Sequence, residues 1–79
     1  MDIESRLKKL IEGVLDEEVD MTNQTADLES QYAMDSMDAV EISDRIEREF
    51  DIEIETNRIY ELKTIGDLLD VIKTQQSSA

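Results

Sequence analysis

The chain has no cysteine, histidine, proline or tryptophan, and only two glycines, two tyrosines and one phenylalanine. Each absence excludes something. Without cysteine there is no disulfide framework and no thiolate metal site. Without histidine no imidazole can activate a serine, whose hydroxyl is a weak nucleophile unless a positioned base assists it. The scarcity of proline and glycine removes the turn punctuation of a β-sandwich or barrel, so an all-helical fold is favoured. Basic residues are also few: 8 against 21 acids give a net charge of −13. That balance argues against nucleic acid, whose phosphates require a basic footprint, and against anionic membrane surfaces. No run approaches the roughly 18 apolar residues of a membrane span. The opening Met1-Asp2-Ile3-Glu4 lacks a basic segment followed by an apolar one, so no signal peptide is expected and the expected location is the cytosol.

What remains is a chain of 79 residues and 9.1 kDa that is 39% hydrophobic, enough for one domain with a modest core. The expected domain covers residues 1–75, with 76–79 as a flexible tail. Acidity on this scale favours positively charged protein partners, brought in by the field of the whole molecule.

The periodicity predicts three longer helices and one short one. Asp2 is a good N-cap for a first helix carrying Ile3, Leu7, Leu10, Ile11, Val14 and Leu15 on one stripe. Asp16, Glu17 and Glu18 follow, where the helix dipole disfavours negative charge, so a stop near Leu15 is expected. Residues 19–35 read as a long connection pinned by Met21, Leu28 and Tyr32, and loops of that length are commonly functional. The second helix is predicted from 36 to 50, capped by Asp35, Ser36 or both. Its inward stripe is read as Met37, Val40, Ile46 and Phe50, with Ala39, Ile42 and Ser43 at the margins. Asp38, Glu41, Asp44, Glu47 and Glu49 are read as outward. Asp51-Ile52-Glu53-Ile54-Glu55 alternates like a strand but has no partner strand, so an extended connector is predicted. Thr56 is read as the cap of a short helix containing Ile59, Tyr60 and Leu62. Thr64 and Asp67 form an acidic capping box ahead of Ile65, Leu68, Leu69 and Ile72. No internal repeat is evident. The expected fold is a small all-α four-helix bundle with a long first loop.

Ser36 stands where that loop meets the second helix. In a chain with neither imidazole nor thiol, a functional serine there is a substrate for another enzyme rather than a catalyst.

The run Asp35-Ser36-Met37, continued by Asp38-Ala39-Val40-Glu41-Ile42 and Ile46-Glu47-Arg48-Glu49-Phe50, resembles the acyl carrier proteins. Asp51-Ile52-Glu53-Ile54 and Thr64-Ile65-Gly66-Asp67-Leu68 extend the similarity over nearly the whole chain. Met37 stands in for the leucine of the family's Asp-Ser-Leu signature. The resemblance implies a non-enzymatic carrier whose serine, here Ser36, takes 4′-phosphopantetheine from coenzyme A through a Mg²⁺-using phosphopantetheinyl transferase. The arm's thiol would then hold acyl groups as thioesters, in fatty-acid or related acyl biosynthesis. It also implies that Asp35, Asp38, Glu41 and Glu47 present carboxylates to basic patches on acyl-loading, condensing and acyl-transfer enzymes, with Met37 as an apolar contact beside the arm. An apolar seam between the second helix and the short third one, around Met37, Ile46, Ile54, Ile59 and Leu62, is expected to shelter the acyl chain. A monomer is expected, with no stable metal site and no membrane insertion.

The chain departs from the family at Ala33, where glycine is common, at Glu55, where proline is common, and at Ser43, Asp44 and Arg48. Three readings remain open beside an acyl carrier: an aminoacyl or D-alanyl carrier, a polyketide-type carrier, and an unmodified acidic adaptor.

Overall fold

The Asp2 carboxylate accepts the Ser5 N–H at 2.7 Å and starts α1 (Ile3–Leu15), as its position predicted. This is a computed structural model that describes residues 2–77. Four further helices follow: α2 (Leu28–Tyr32), α3 (Ser36–Phe50), α4 (Thr56–Ile59) and α5 (Ile65–Ser77). The described residues contain no strand. Their one β-type pairing is an isolated bridge between Asp27 and Thr64.

The all-α class and the long helices stand as expected, and α2 is the addition. The Asp27 carboxylate accepts the Glu29 N–H at 2.8 Å and caps it. Leu28 and Tyr32, four residues apart on one face, are both buried. The two expected pins therefore hold a single helical turn to the core, and Met21 packs only partly against it. The Tyr32 hydroxyl also accepts the Asp20 N–H at 2.9 Å, which ties down the chain between α1 and α2.

Leu7 and Ile11 of α1, Ile42 and Ile46 of α3, and Ile65 and Ile72 of α5 are almost fully buried and meet in one core. α1 and α3 run antiparallel: Arg6 meets Glu49, and seven residues later Gly13 faces Arg45. The loop before α2 is clasped to the start of α5. Leu28 N donates to the Lys63 carbonyl at 2.8 Å and Gly66 N to the Gln24 carbonyl at 2.9 Å. A Cβ at position 66 would lie 3.1 Å from that same oxygen, so glycine admits the close approach. The expected Thr64–Asp67 box is formed: Asp67 Oδ2 accepts the Thr64 N–H at 3.1 Å, and Thr64 Oγ1 accepts the Asp67 N–H at 3.0 Å.

α1 and α3 end by the same device. Asp16 and Asp51 take left-handed backbone angles, with φ of 56° and 55°, and donate their N–H groups to the carbonyls of Glu12 and Glu47. Each of these glutamates also reaches forward with its carboxylate. Glu12 accepts the Val19 N–H at 2.8 Å, and Glu47 accepts the Ile54 N–H at 2.7 Å. Val19 and Ile54 are buried, so each glutamate seats the apolar residue that follows its helix. The two segments, 12–19 and 47–54, share an eight-residue pattern, Glu-x-x-apolar-Asp-x-Glu-apolar.

Three expectations are corrected. Met37 and Val40 are 80% and 43% exposed, and the inward stripe of α3 is Ala39, Ile42, Ser43, Ile46 and Phe50. Nine positions at about 100° per residue place Met37 on the opposite side of the helix from Ile46. Thr56 is the first residue of α4 rather than its cap; Glu55 precedes it without a side-chain cap bond, and Tyr60 and Leu62 lie beyond the helix. Finally, α5 continues through Ser77, with Gln75 Nε2 donating to the Glu53 carbonyl, so positions 76 and 77 are helical. The rest of the expected tail, 78–79, lies outside the described residues.

Candidate functional site

The start of α3 is built from two carboxylates. Asp35 Oδ1 accepts the Asp38 N–H at 2.9 Å while Asp38 Oδ2 accepts the Asp35 N–H at 3.2 Å. This is a reciprocal capping box with aspartate in both places. The cap is therefore Asp35 alone. Ser36 sits one position inside it as the first helical residue, and it is exposed. Its hydroxyl has no hydrogen-bond partner among the described residues.

The approach to the serine is fixed from behind. Tyr32 and Met34 are buried on either side of Ala33, which takes φ 54° and ψ 37° and donates its N–H to the Leu28 carbonyl. An alanine here occupies the left-handed region that favours glycine. The turn thus keeps a glycine-type conformation at the position where the chain departs from the family's glycine.

Helix geometry supplies the local electrostatics. The Ala39 N–H bonds to the Asp35 carbonyl at 3.0 Å, and the Asp38 N–H is taken by the Asp35 side chain. The N–H groups of Ser36 and Met37 are left over, as at any helix start. They sit beside the serine hydroxyl, where the helix dipole favours negative charge.

Asp35, Ser36, Met37, Asp38 and Glu41 lie together at this end of α3, and Val40 adds an exposed apolar neighbour. Reading Val40 as inward hid it. The corrected phase of the buried stripe, centred on Ile42 and Ile46, is the signal that would have found it. Further along, Glu41 pairs with Arg45 at 3.0 Å and Asp44 with Arg48 at 2.9 Å. Glu47 does not join the exposed acidic face as expected: it is only half-exposed, and its carboxylate is committed to the Ile54 N–H. Ile46, Ile54 and Leu62 are buried, and Ile59 packs half-buried against the same core. Met37 is solvent-facing and, against expectation, is not part of that buried seam. Among the described residues no cluster of three or more acidic side chains is placed to hold a metal ion, and no helix is long and apolar enough to cross a membrane.

Residues 5–72 of this helical domain match the family described as the phosphopantetheine attachment site. The chain is 33% identical to the acyl carrier protein of Cylindrotheca sp. over 70 residues, covering 89% of this chain and 88% of that one. It is 33% identical to the acyl carrier protein of Buchnera aphidicola subsp. Schizaphis graminum over 73 residues, 92% of each. It is 29% identical to that of Porphyromonas gingivalis over 72 residues, 91% of this chain and 92% of the relative. The chain belongs to the acyl carrier protein family. It is a phosphopantetheine-bearing carrier of acyl groups rather than an enzyme, and it works with a phosphopantetheinyl transferase and acyl-handling enzymes.

Proposed function

We propose that Ser36 is the residue that carries 4′-phosphopantetheine. The observation that carries this reading is an exposed hydroxyl, free of any capping duty, next to two unsatisfied backbone N–H groups. The residues present suit the group: a phosphodiester on Ser36 Oγ would meet those donors and the positive end of the α3 dipole. When bound, the arm supplies the thiol that this cysteine-free chain lacks, and the cargo is held on it as a thioester. With no histidine in the chain, the base that takes the serine proton comes from the transferase.

Asp35, Asp38 and Glu41 face basic patches on the partner enzymes, and Met37 and Val40 give the contact its apolar centre. Glu47 serves the same surface indirectly, by holding the end of α3 to the connector. Ile46, Ile54, Ile59 and Leu62 form the seam that parts to admit an acyl chain, since one small core must serve both packing and cargo. The carrier acts as a cytosolic monomer on acyl rather than aminoacyl groups, in keeping with relatives that are named acyl carrier proteins.

The test is incubation with coenzyme A, Mg²⁺ and a broad-specificity phosphopantetheinyl transferase, read by intact mass. The wild type should gain one phosphopantetheine and Ser36→Ala none. Modification of the alanine variant, or no gain in the wild type with several transferases, would leave the unmodified adaptor as the better reading.

A further inference from the structure

Half of the chain's eight cations converge in one place. Arg6, Lys9, Arg45 and Arg48, with Leu10 and Glu49, line a groove of about 530 Å³ between α1 and α3. We propose that this groove docks an acidic segment of a partner protein, apart from the acidic face at Ser36.

The placement follows from helical spacing. Arg6 and Lys9 are three residues apart on α1, as are Arg45 and Arg48 on the antiparallel α3, so each pair shares a face. Arg6 is a fixed wall. Its Nε and Nη2 donate to the Glu49 carboxylate at 2.8 Å and the Glu49 carbonyl at 2.7 Å, and its guanidinium lies 4.6 Å from the centre of the Phe50 ring. The other three cations are available. Lys9 is exposed and has no partner among the described residues, while Arg45 and Arg48 hold only partners on their own helix, with side chains 47% and 78% exposed. Such exposed pairs are weak, so an incoming carboxylate can replace them at little cost. Half-buried Leu10 gives the floor an apolar spot, which suits a segment carrying an apolar side chain among its acids.

Charge decides the occupant. A second copy would bring its own net −13 against this one, whereas a short acidic segment responds to charges within a Debye length of about 10 Å at 0.1 M salt. Arg45 and Arg48 also stand nine and twelve residues beyond Ser36, roughly 14–18 Å along α3 at 1.5 Å per residue. One partner can therefore engage the serine end and the groove together. That this partner is an acyl-handling enzyme rests on the reading of Ser36; the chemistry of the groove does not.

The experiment is an NMR titration of the ¹⁵N-labelled Ser36→Ala chain, at about 0.1 M salt, with a synthetic peptide of Glu-Glu-Leu repeats. Its Gln-Gln-Leu counterpart is the control. Because this variant lacks the serine, the result is independent of whether Ser36 carries the arm. Resonances of Lys9, Leu10, Arg45 and Arg48 should move with the acidic peptide and not with the control. Lys9→Glu combined with Arg48→Glu should weaken binding by roughly tenfold or more, with circular dichroism unchanged. The neutral pair Lys9→Gln and Arg48→Gln repeats the test without new repulsion. Shifts that are absent, lie elsewhere, appear equally with the control, or survive both double variants would overturn the proposal. So would a dimer in sedimentation that the same variants abolish, since the groove would then be a self-interface.

Discussion

The Glu47 carboxylate reaches across the end of α3 to accept the Ile54 N–H, seven residues further along the chain, at 2.7 Å. It therefore does structural work at a position where an acidic helix face would otherwise be read as pure surface. Glu41, six residues earlier on α3, is 51% exposed and among the described residues bonds only to Arg45 on its own helix.

The two glutamates should respond differently to charge reversal. Glu47→Lys leaves a part-buried N–H without its acceptor and is expected to lower stability by about 1–3 kcal/mol. Glu41→Lys loses one exposed pair, worth about 0.3–0.5 kcal/mol, and should melt close to the wild type. Productive encounter with an acyl-handling enzyme should nonetheless fall in Glu41→Lys, and become less sensitive to salt. Thermal melts and a salt series of partner turnover check both halves. Equal melting of the two variants would refute the assigned role of Glu47.

Ala33 holds φ 54° and ψ 37° at the C-terminus of α2. The left-handed region costs a residue with a Cβ roughly 1–2 kcal/mol, part of which glycine gives back through its greater freedom in the unfolded chain. Ala33→Gly is thus expected to stabilise the protein by about 0.5–1 kcal/mol. Denaturant midpoints of the two proteins measure it. A lower midpoint for the glycine variant would mean that the turn carries no backbone strain.

Glu12 gives stability a pH dependence of known sign. The Val19 N–H, and then Lys8, hold its carboxyl below the usual carboxylate range, while the Glu12 hydrogen bond raises Lys8 above its ordinary value. A depressed carboxyl contributes fully above its unfolded pKa of about 4.3 and loses that contribution as pH falls through the lower folded value. The raised Lys8 contributes fully below about 10.4 and loses it as pH rises through its folded value. The stability gap between the wild type and Glu12→Gln should therefore be flat near neutrality, close as pH falls, and narrow only in part as Lys8 loses its proton, because the Val19 N–H bond survives. Urea melts from acid to alkaline pH would show it; a gap that widens in acid would contradict the assignment.

Net charge also bears on stability. With −13 on 79 residues, the compact state repels itself, and the field is screened over about 8 Å at physiological ionic strength. Melting temperature should rise with NaCl. It should rise further with Mg²⁺ at matched ionic strength, through loose association with neighbouring carboxylates, because no three acidic side chains among the described residues form a metal cluster. A melting temperature indifferent to both salts would show that repulsion is already relieved by the ion pairs present.

The sequence was informative wherever a feature depends on residues a few positions apart. The Asp2 cap, the Thr64–Asp67 box and the buried set Ile65, Leu68, Leu69 and Ile72 are local, and the structure has them all. Ser36 stood out through its motif. α2 was hidden because five residues are too short to show a period, although Asp27 before the Leu28 and Tyr32 spacing was its trace. Met37 and Val40 were misplaced because either face of α3 carries enough apolar side chains to suggest a stripe. Glu47 needed the left-handed turn at Asp51, and the basic groove needed α1 beside α3. Neither relation exists in one dimension.

One element stands apart from the rest of the bundle. α4 has four residues, no side-chain cap and no buried residue of its own. Every other helix buries at least two side chains or starts from a hydrogen-bonded carboxylate. Local opening is cheapest where it exposes the least apolar surface and breaks the fewest shielded bonds. Amide protons around Asn57 and Arg58 should therefore exchange with solvent deuterons ahead of those in the three long helices. The bundle then behaves as a rigid three-sided frame with one soft wall, and its slow fluctuations are channelled toward that wall instead of being shared evenly.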